Sequence, residues 1–194
     1  MLDASENSDR EKHKMKSAIL FLLLSPAFFG TADDRRAAQA FVNGNVSAAE
    51  FLPIEDKAAE FELKDQYNKN FALQFPREKA VVLVFGDREG SQQIESWVRP
   101  LVEKYQSNID IQGIAELSAV PGLAQGMVRR IMKNQVKYSV MLDWKGDVSK
   151  SYGYQKGKAN LFVIDKNGKI IAKATGAATK GELENIFRDI NDIL

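Results

Sequence analysis

The chain has no cysteine and one histidine, His13, in 194 residues. Without a thiol there is no disulfide exchange, no cysteine nucleophile and no Cys-based metal site. With His13 the sole imidazole, and placed among the first residues, a Ser-His triad and a histidine-rich metal site are excluded by inventory as well. A large excess of one charge is also missing. The 27 basic and 26 acidic residues leave a net charge of +1, which gives no electrostatic case for nucleic acid or an anionic membrane as partner. Long apolar runs are absent too: the longest candidate, Ser17–Phe29 (SAILFLLLSPAFF), is shorter than the roughly 20 residues that span a bilayer.

That run has a different reading. Lys12, Lys14 and Lys16 precede it, and Gly30 and Ala32 supply small residues at the −3 and −1 positions. This is the pattern of a secretory signal peptide with cleavage after Ala32. Residues 1–32 are therefore expected to be a polar extension plus signal, with Met15 as an alternative start, and the chain is expected to work in the periplasm or an equivalent extracytoplasmic space. Stable membrane insertion follows only if the 17–29 segment stays uncleaved. Residues 33–194 are long enough for one domain with its own core.

Along that domain, residues 33–60 read as an N-terminal helical arm, with acidic Asp33 and Asp34 opening a short helix that Gly44 ends. Phe61–Asp65 and Phe71–Phe75 alternate apolar and polar residues as half-exposed strands do. Ala80–Phe85 is an unbroken apolar, β-branched run, the signature of a strand buried on both faces. Gly86–Gly90 breaks it, and Ser91 stands as N-cap to a helix whose Ile94, Trp97, Val98, Leu101 and Val102 form one apolar face. Ile109–Ala115 reads as a second buried strand. Pro121-Gly122 leads into a helix over Leu123–Gln135 with Met127, Val128 and Ile131 inward. Ser139–Leu142 and Leu161–Ile164 are strands, and Asp165-Lys166-Asn167-Gly168 is the tight turn to a partner strand over Lys169–Ala174. Thr179-Lys180-Gly181-Glu182 is a capping box before a final amphipathic helix. Alternating strands and helices that end in an antiparallel hairpin and a helix specify an α/β fold, a mixed central sheet covered by helices on both faces.

In order and spacing these segments resemble the thioredoxin-like fold in its redoxin branch, the peroxiredoxin and TlpA-type group. Phe61-x-Leu63-x-Asp65-Gln66 is similar to the redoxin opening, and Val81–Gly86 to the strand that delivers the active-site loop. Met141–Gly146 with Tyr152-Gly153 is similar to the segment before the family's cis-proline, and Leu161–Gly168 with Gly176 to its final hairpin. The Ala119–Gly122 and LFVIDKNG pair is also similar to the YtfJ kind of periplasmic redoxin-like protein. The departures are as informative. Gly90-Ser91-Gln92-Gln93 stands where a thioredoxin has Cys-x-x-Cys, and a peroxiredoxin's cysteine would fall near Ile94. Ala159 stands at the cis-proline position, where a cis bond without proline costs about 2.5–4 kcal/mol, so a trans bond is expected.

What the resemblance implies is a scaffold without its chemistry: a non-catalytic binding or scaffold module with no cofactor and no metal, taking a protein or peptide partner. Its candidate site is the rim on which redoxins hold extended substrate polypeptides, here Asp87, Arg88, Glu89, Gly90, Ser91, Ala159 and Asn160. The contrasting reading is a non-thiol enzyme, or a small-ligand or metal site, built on Asp87 and Glu89 beside a helix N-terminus; against both stands a plain solvated turn. Asp143 and Asp165 each open an Asp-x-x-Gly turn whose side chain bonds its own backbone. Trp144, near Tyr138, Tyr152 and Tyr154, reads either as part of an aromatic partner groove or as a packing cluster.

Overall fold

The structure, a computed structural model, describes residues 57–194. The predicted signal segment and nearly all of the N-terminal arm lie outside the described residues. Ala58, at the arm's end, is buried in the core, and Lys57 bridges to Lys169.

Two short strands, β1 (Phe61–Lys64) and β2 (Asn70–Leu73), pair as an antiparallel hairpin. The main sheet follows. The strand β3 (Val81–Gly86) leads into helix α1 (Ser91–Tyr105), then β4 (Asp110–Glu116). One 3₁₀ turn at Gly122–Ala124 precedes α2 (Gln125–Gln135) and β5 (Val140–Asp143). A one-turn helix α3 (Asp147–Ser151), β6 (Asn160–Ile164), β7 (Ile170–Thr175) and α4 (Lys180–Asn191) complete the chain. The sheet order is β5-β4-β3-β6-β7, with β3, β4 and β5 parallel and β6 and β7 antiparallel.

All six residues of β3 are buried, as its unbroken apolar run requires of a strand with cover on both faces. Val82 and Val84 point into a core made with Trp97, Leu101, Ile186 and Ile190, so α1 and α4 cover one face. Val81, Leu83 and Phe85 point the other way, into a second core with Leu73, Tyr152 and Phe162 under the hairpin and α3. Polar side chains lock the layers together. The Trp97 indole donates to the Gly176 carbonyl (2.7 Å), and the Tyr105 hydroxyl donates to that of Phe187 (2.8 Å). At the far edge the wholly buried Gln66 accepts from Val140 N–H (2.9 Å) and donates to the carbonyls of Val136 and Tyr138.

Two expectations need correcting. Met127 and Ile131 are exposed, and the residue α2 buries is Met132. At about 100° per residue, Met127, Ile131, Val128 and Met132 span an arc of about 140°, and packing covers its Met132 end while Met127 and Ile131 stay exposed. Ser91 is not the N-cap of α1: Gly90 holds that position with no side-chain cap, and the Ser91 hydroxyl donates to the Arg88 carbonyl (2.8 Å). Elsewhere the sequence signals hold. The capping box on α4 has both reciprocal bonds. Asp165 Oδ1 accepts the amides of Asn167 and Lys169 at the hairpin turn, which Gly168 closes at φ +91°. The aromatics form a packing cluster in which Tyr152 stacks among Phe61, Phe85 and Phe162, while Trp144 is half-buried beneath the Arg129 guanidinium.

Candidate functional site

The residues singled out at 87–91 and 159–160 meet at the end of β3. Asp87 follows the strand's last residue, and Ala159 and Asn160 sit where β6 begins, antiparallel to it, with Asn160 opposite Phe85. The loop between β3 and α1 packs directly on the loop before β6. A Cβ built on Gly90 would stand 2.5 Å from the Lys158 carbonyl carbon, closer still to its oxygen, and 3.0 Å from Ala159 N. Only glycine permits that approach.

Asp87 holds the two loops. Its Oδ1 accepts the amides of Glu89 (3.0 Å) and Gly90 (2.8 Å), and its Oδ2 accepts that of Gly157 (2.8 Å). Its own amide donates to the Tyr154 hydroxyl (2.8 Å). Burial pushes the Tyr154 phenol well above its ordinary range, and the neighbouring carboxylates of Asp87 and Glu116 push it further. Tyr154 is thus a neutral hydrogen-bonding post at any physiological pH. Asp87 is half-buried and structural rather than a solvated turn residue or a free ligand. A sequence signal for this existed: Asp87-Arg88-Glu89-Gly90 repeats the Asp-x-x-Gly pattern of Asp143 and Asp165. Asp143 accepts the amides of Gly146 (2.9 Å) and Ser149 (2.7 Å) in the same manner.

Two further side chains complete the seal. Gln93 donates to the Gly157 carbonyl (3.2 Å) and accepts from Ala159 N–H (3.1 Å), tying α1 to the opposite loop. Nothing local in the sequence marks Gln93, since its partners lie more than 60 residues away. Asn160, fully buried, donates to the carbonyls of Gln155 and Lys158 and accepts from Gln155 N–H, all at 3.0 Å. The Ala159 carbonyl in turn accepts from Gly176 N–H (2.8 Å). The amides of Asp87, Glu89, Gly90, Ser91, Gly157 and Ala159 at this rim are bonded within the protein, and Arg88, Glu89, Lys156 and Lys158 are exposed side chains around it. The bond before Ala159 is trans; the cis bond among the described residues is Phe75–Pro76. Both Asp87 oxygens are occupied by amides, and no three acidic or histidine side chains among the described residues converge as a metal would need.

A hairpin, a β-α-β-α-β half with parallel strands, and an antiparallel pair closed by a helix define a thioredoxin-like protein. Solved structures carry the same fold. A putative thiol:disulfide interchange protein DsbE from Chlorobium tepidum superposes with a TM-score of 0.53 at 23 % identity, covering 73 % of this chain and 98 % of that one. Peroxidoxin BcpB from Mycobacterium tuberculosis gives 0.51 at 18 %, covering 72 % and 96 %. Residues 54–173 match the AhpC/TSA family, and the chain belongs to it. By sequence it is similar to the thiol-disulfide oxidoreductase ResA of Bacillus cereus, 26 % identical over 150 residues, which are 76 % of this chain and 84 % of that protein. DsbE and ResA are named for thiol chemistry; this family member has no cysteine with which to perform it.

Proposed function

We propose that this chain is a binding or scaffold module on a redoxin frame, acting outside the cytoplasm without thiol chemistry and docking a protein or peptide partner on the rim at 87–91 and 156–160. The observation that carries the reading is the packing of Gly90 on the Lys158 backbone. The loop that carries the nucleophile in the family's resemblance pattern is held shut, so the site keeps its position in the fold while its chemistry is gone. With the amides of Glu89, Gly90, Gly157 and Ala159 already bonded, strand addition along the rim is disfavoured, so recognition falls to the side chains of Arg88, Glu89, Lys156 and Lys158. The extracytoplasmic location rests on the basic, apolar and small-residue pattern of the first 32 residues.

The test is affinity capture from an extracytoplasmic extract with the full chain. It is run beside an Arg88→Ala/Glu89→Ala variant and a Lys156→Ala/Lys158→Ala variant, which leave the Asp87 bonds in place. A partner held by the wild type and lost by either variant supports rim docking. Equal capture by all three, or no specific partner, removes it.

A further inference from the structure

The strand β4 lies inside the sheet, and parallel strands are normally covered on both faces. On its α1 side, however, Ile111 and Gly113 are only partly covered. They floor an open groove of about 290 Å³ whose walls include Val98 and Val102 of α1 and Met132 and Val136 at the end of α2. Among the described residues, no charged side chain lines it.

An exposed apolar ridge stands next to this groove. Leu123, in the 3₁₀ turn, and Met127 and Ile131, in α2, are 103 %, 52 % and 44 % exposed, and a spacing of four puts Met127 and Ile131 on one side of the helix. Arg129 fixes the rotation of α2, since its guanidinium donates to the Asp65 carbonyl (2.8 Å) and lies over Trp144 on the outer flank. Met132 faces the groove. Steps of about 100° per residue carry the surface from Met132 through Val128 to Ile131 and Met127, away from Arg129. Groove and ridge are therefore adjoining parts of one apolar face.

We propose that this face is a self-association surface: the ridge of one copy enters the groove of a second copy across a twofold axis. A twofold interface requires one patch to complement itself, and a ridge beside a groove does so. Charge agrees. The stretch Gln125–Gln135 holds Arg129, Arg130 and Lys133 and no acid, while α1 carries Glu95 and an exposed Glu103 beside its groove wall. Glu95 gives one carboxylate oxygen to Arg99 (2.7 Å), and its Oε2 is buried without a hydrogen-bond partner among the described residues. An α2 helix seated in the groove brings Arg130 and Lys133 to the exposed Glu103, since the Glu95 charge on that edge is already paired with Arg99.

Sedimentation of the full chain across a concentration series tests this. A dimer is expected, with at least tenfold weaker association in Met127→Lys/Ile131→Lys, whose sites are on the surface. Gly113→Leu is expected to abolish the dimer without lowering the melting temperature. A Cβ there meets only Val140, at 3.6 and 3.8 Å, so the added side chain grows into the groove. Arg130→Glu is expected to weaken association and Glu103→Lys on the same chain to restore it. A monomer at every concentration overturns the proposal. So does association that all these variants leave unchanged, because it then runs through another surface, the apolar 17–29 segment included. A monomer that saturably binds an apolar fluorescent probe, displaced by Gly113→Leu, overturns it in favour of a small-molecule site.

Discussion

Gly90→Ala is a small change with a sign that two opposed effects decide. Gly90 adopts φ −61° and ψ −29°, a conformation alanine takes freely, so the backbone alone predicts a gain of about 0.4–1 kcal/mol from a less flexible unfolded chain. Opposed to it is the contact. The new methyl would sit 2.5 Å from the Lys158 carbonyl carbon, and its neighbour is backbone pinned by Asn160 and Gly176, not a side chain that can swing aside. Overpacking of this kind costs about 1–3 kcal/mol, and with no soft partner to yield, the upper part of that range applies. The net expectation is a loss of about 2 kcal/mol, or about 4–8 °C in melting temperature for a domain of this size. Gly181→Ala is the internal control. It lies in α4 with nothing within 4 Å of a built Cβ, so the same substitution is expected to raise stability by about 0.5 kcal/mol. Urea unfolding of the two variants beside the wild type measures both. Gly90→Ala at or above wild-type stability would refute the claim that the two loops are in backbone contact.

Removing the carboxylate that joins those loops is expected to cost about 3 kcal/mol in Asp87→Ala, because charge-assisted bonds to three amides go at once. Asp87→Asn, which keeps an oxygen for Glu89 and Gly90 but loses Gly157, should fall between it and the wild type, and equal urea midpoints for all three would contradict this. Burial raises the Asp65 pKa, but the Ser139 hydroxyl, the amides of Lys69 and Tyr67 and the Lys69 ammonium lower it more, and the balance is a depressed value. Its contribution is therefore full above the unfolded value of about pH 4 and is lost as pH falls through the lower folded value. Asp65→Asn should cost stability at pH 7 and much less at pH 2–3, as thermal melts across that range would show. Thr179→Ala removes one half of the capping box and should cost about 1 kcal/mol, and Thr179→Ala/Glu182→Ala should cost less than the sum of the single losses, because the Thr179 hydroxyl also donates to Glu182 Oε2 (2.6 Å) and either change alone removes that bond; additive losses would argue against that coupling.

Elements fixed by neighbours in the chain were legible before the structure. The six-residue apolar run made β3, Asp165 and Gly168 made the hairpin turn, and Thr179 with Glu182 made the start of α4, each from residues at most five apart. What required the third dimension was which arc of an apolar helix gets covered. Met127, Val128, Ile131 and Met132 are equally apolar, and only the position of Arg129 on Trp144 and Asp65 decides that Met132 goes in. The candidate site divides in the same way. The Asp87 loop shares its pattern with two recognised turns, whereas Gln93 and Gly90 acquire their roles from a segment more than 60 residues downstream, and no local pattern encodes that meeting.

The three bonds of Gln66 have a bearing on how the molecule behaves in a crowd. β5 is a border strand, and a border strand's unpaired amides and carbonyls ordinarily template the addition of a strand from another chain, the first step of fibrous aggregation. One amide side chain occupies the Val140 N–H at the start of β5 and the carbonyls of Val136 and Tyr138 in the segment leading into it, and Asp65 bridges to Met141 just beyond. A turn of the hairpin thus serves as a cap along the sheet's border, and it does so with a neutral side chain that works alike at any pH or salt concentration. A fold with no disulfide to keep it closed has one of its two sheet borders guarded by glutamine.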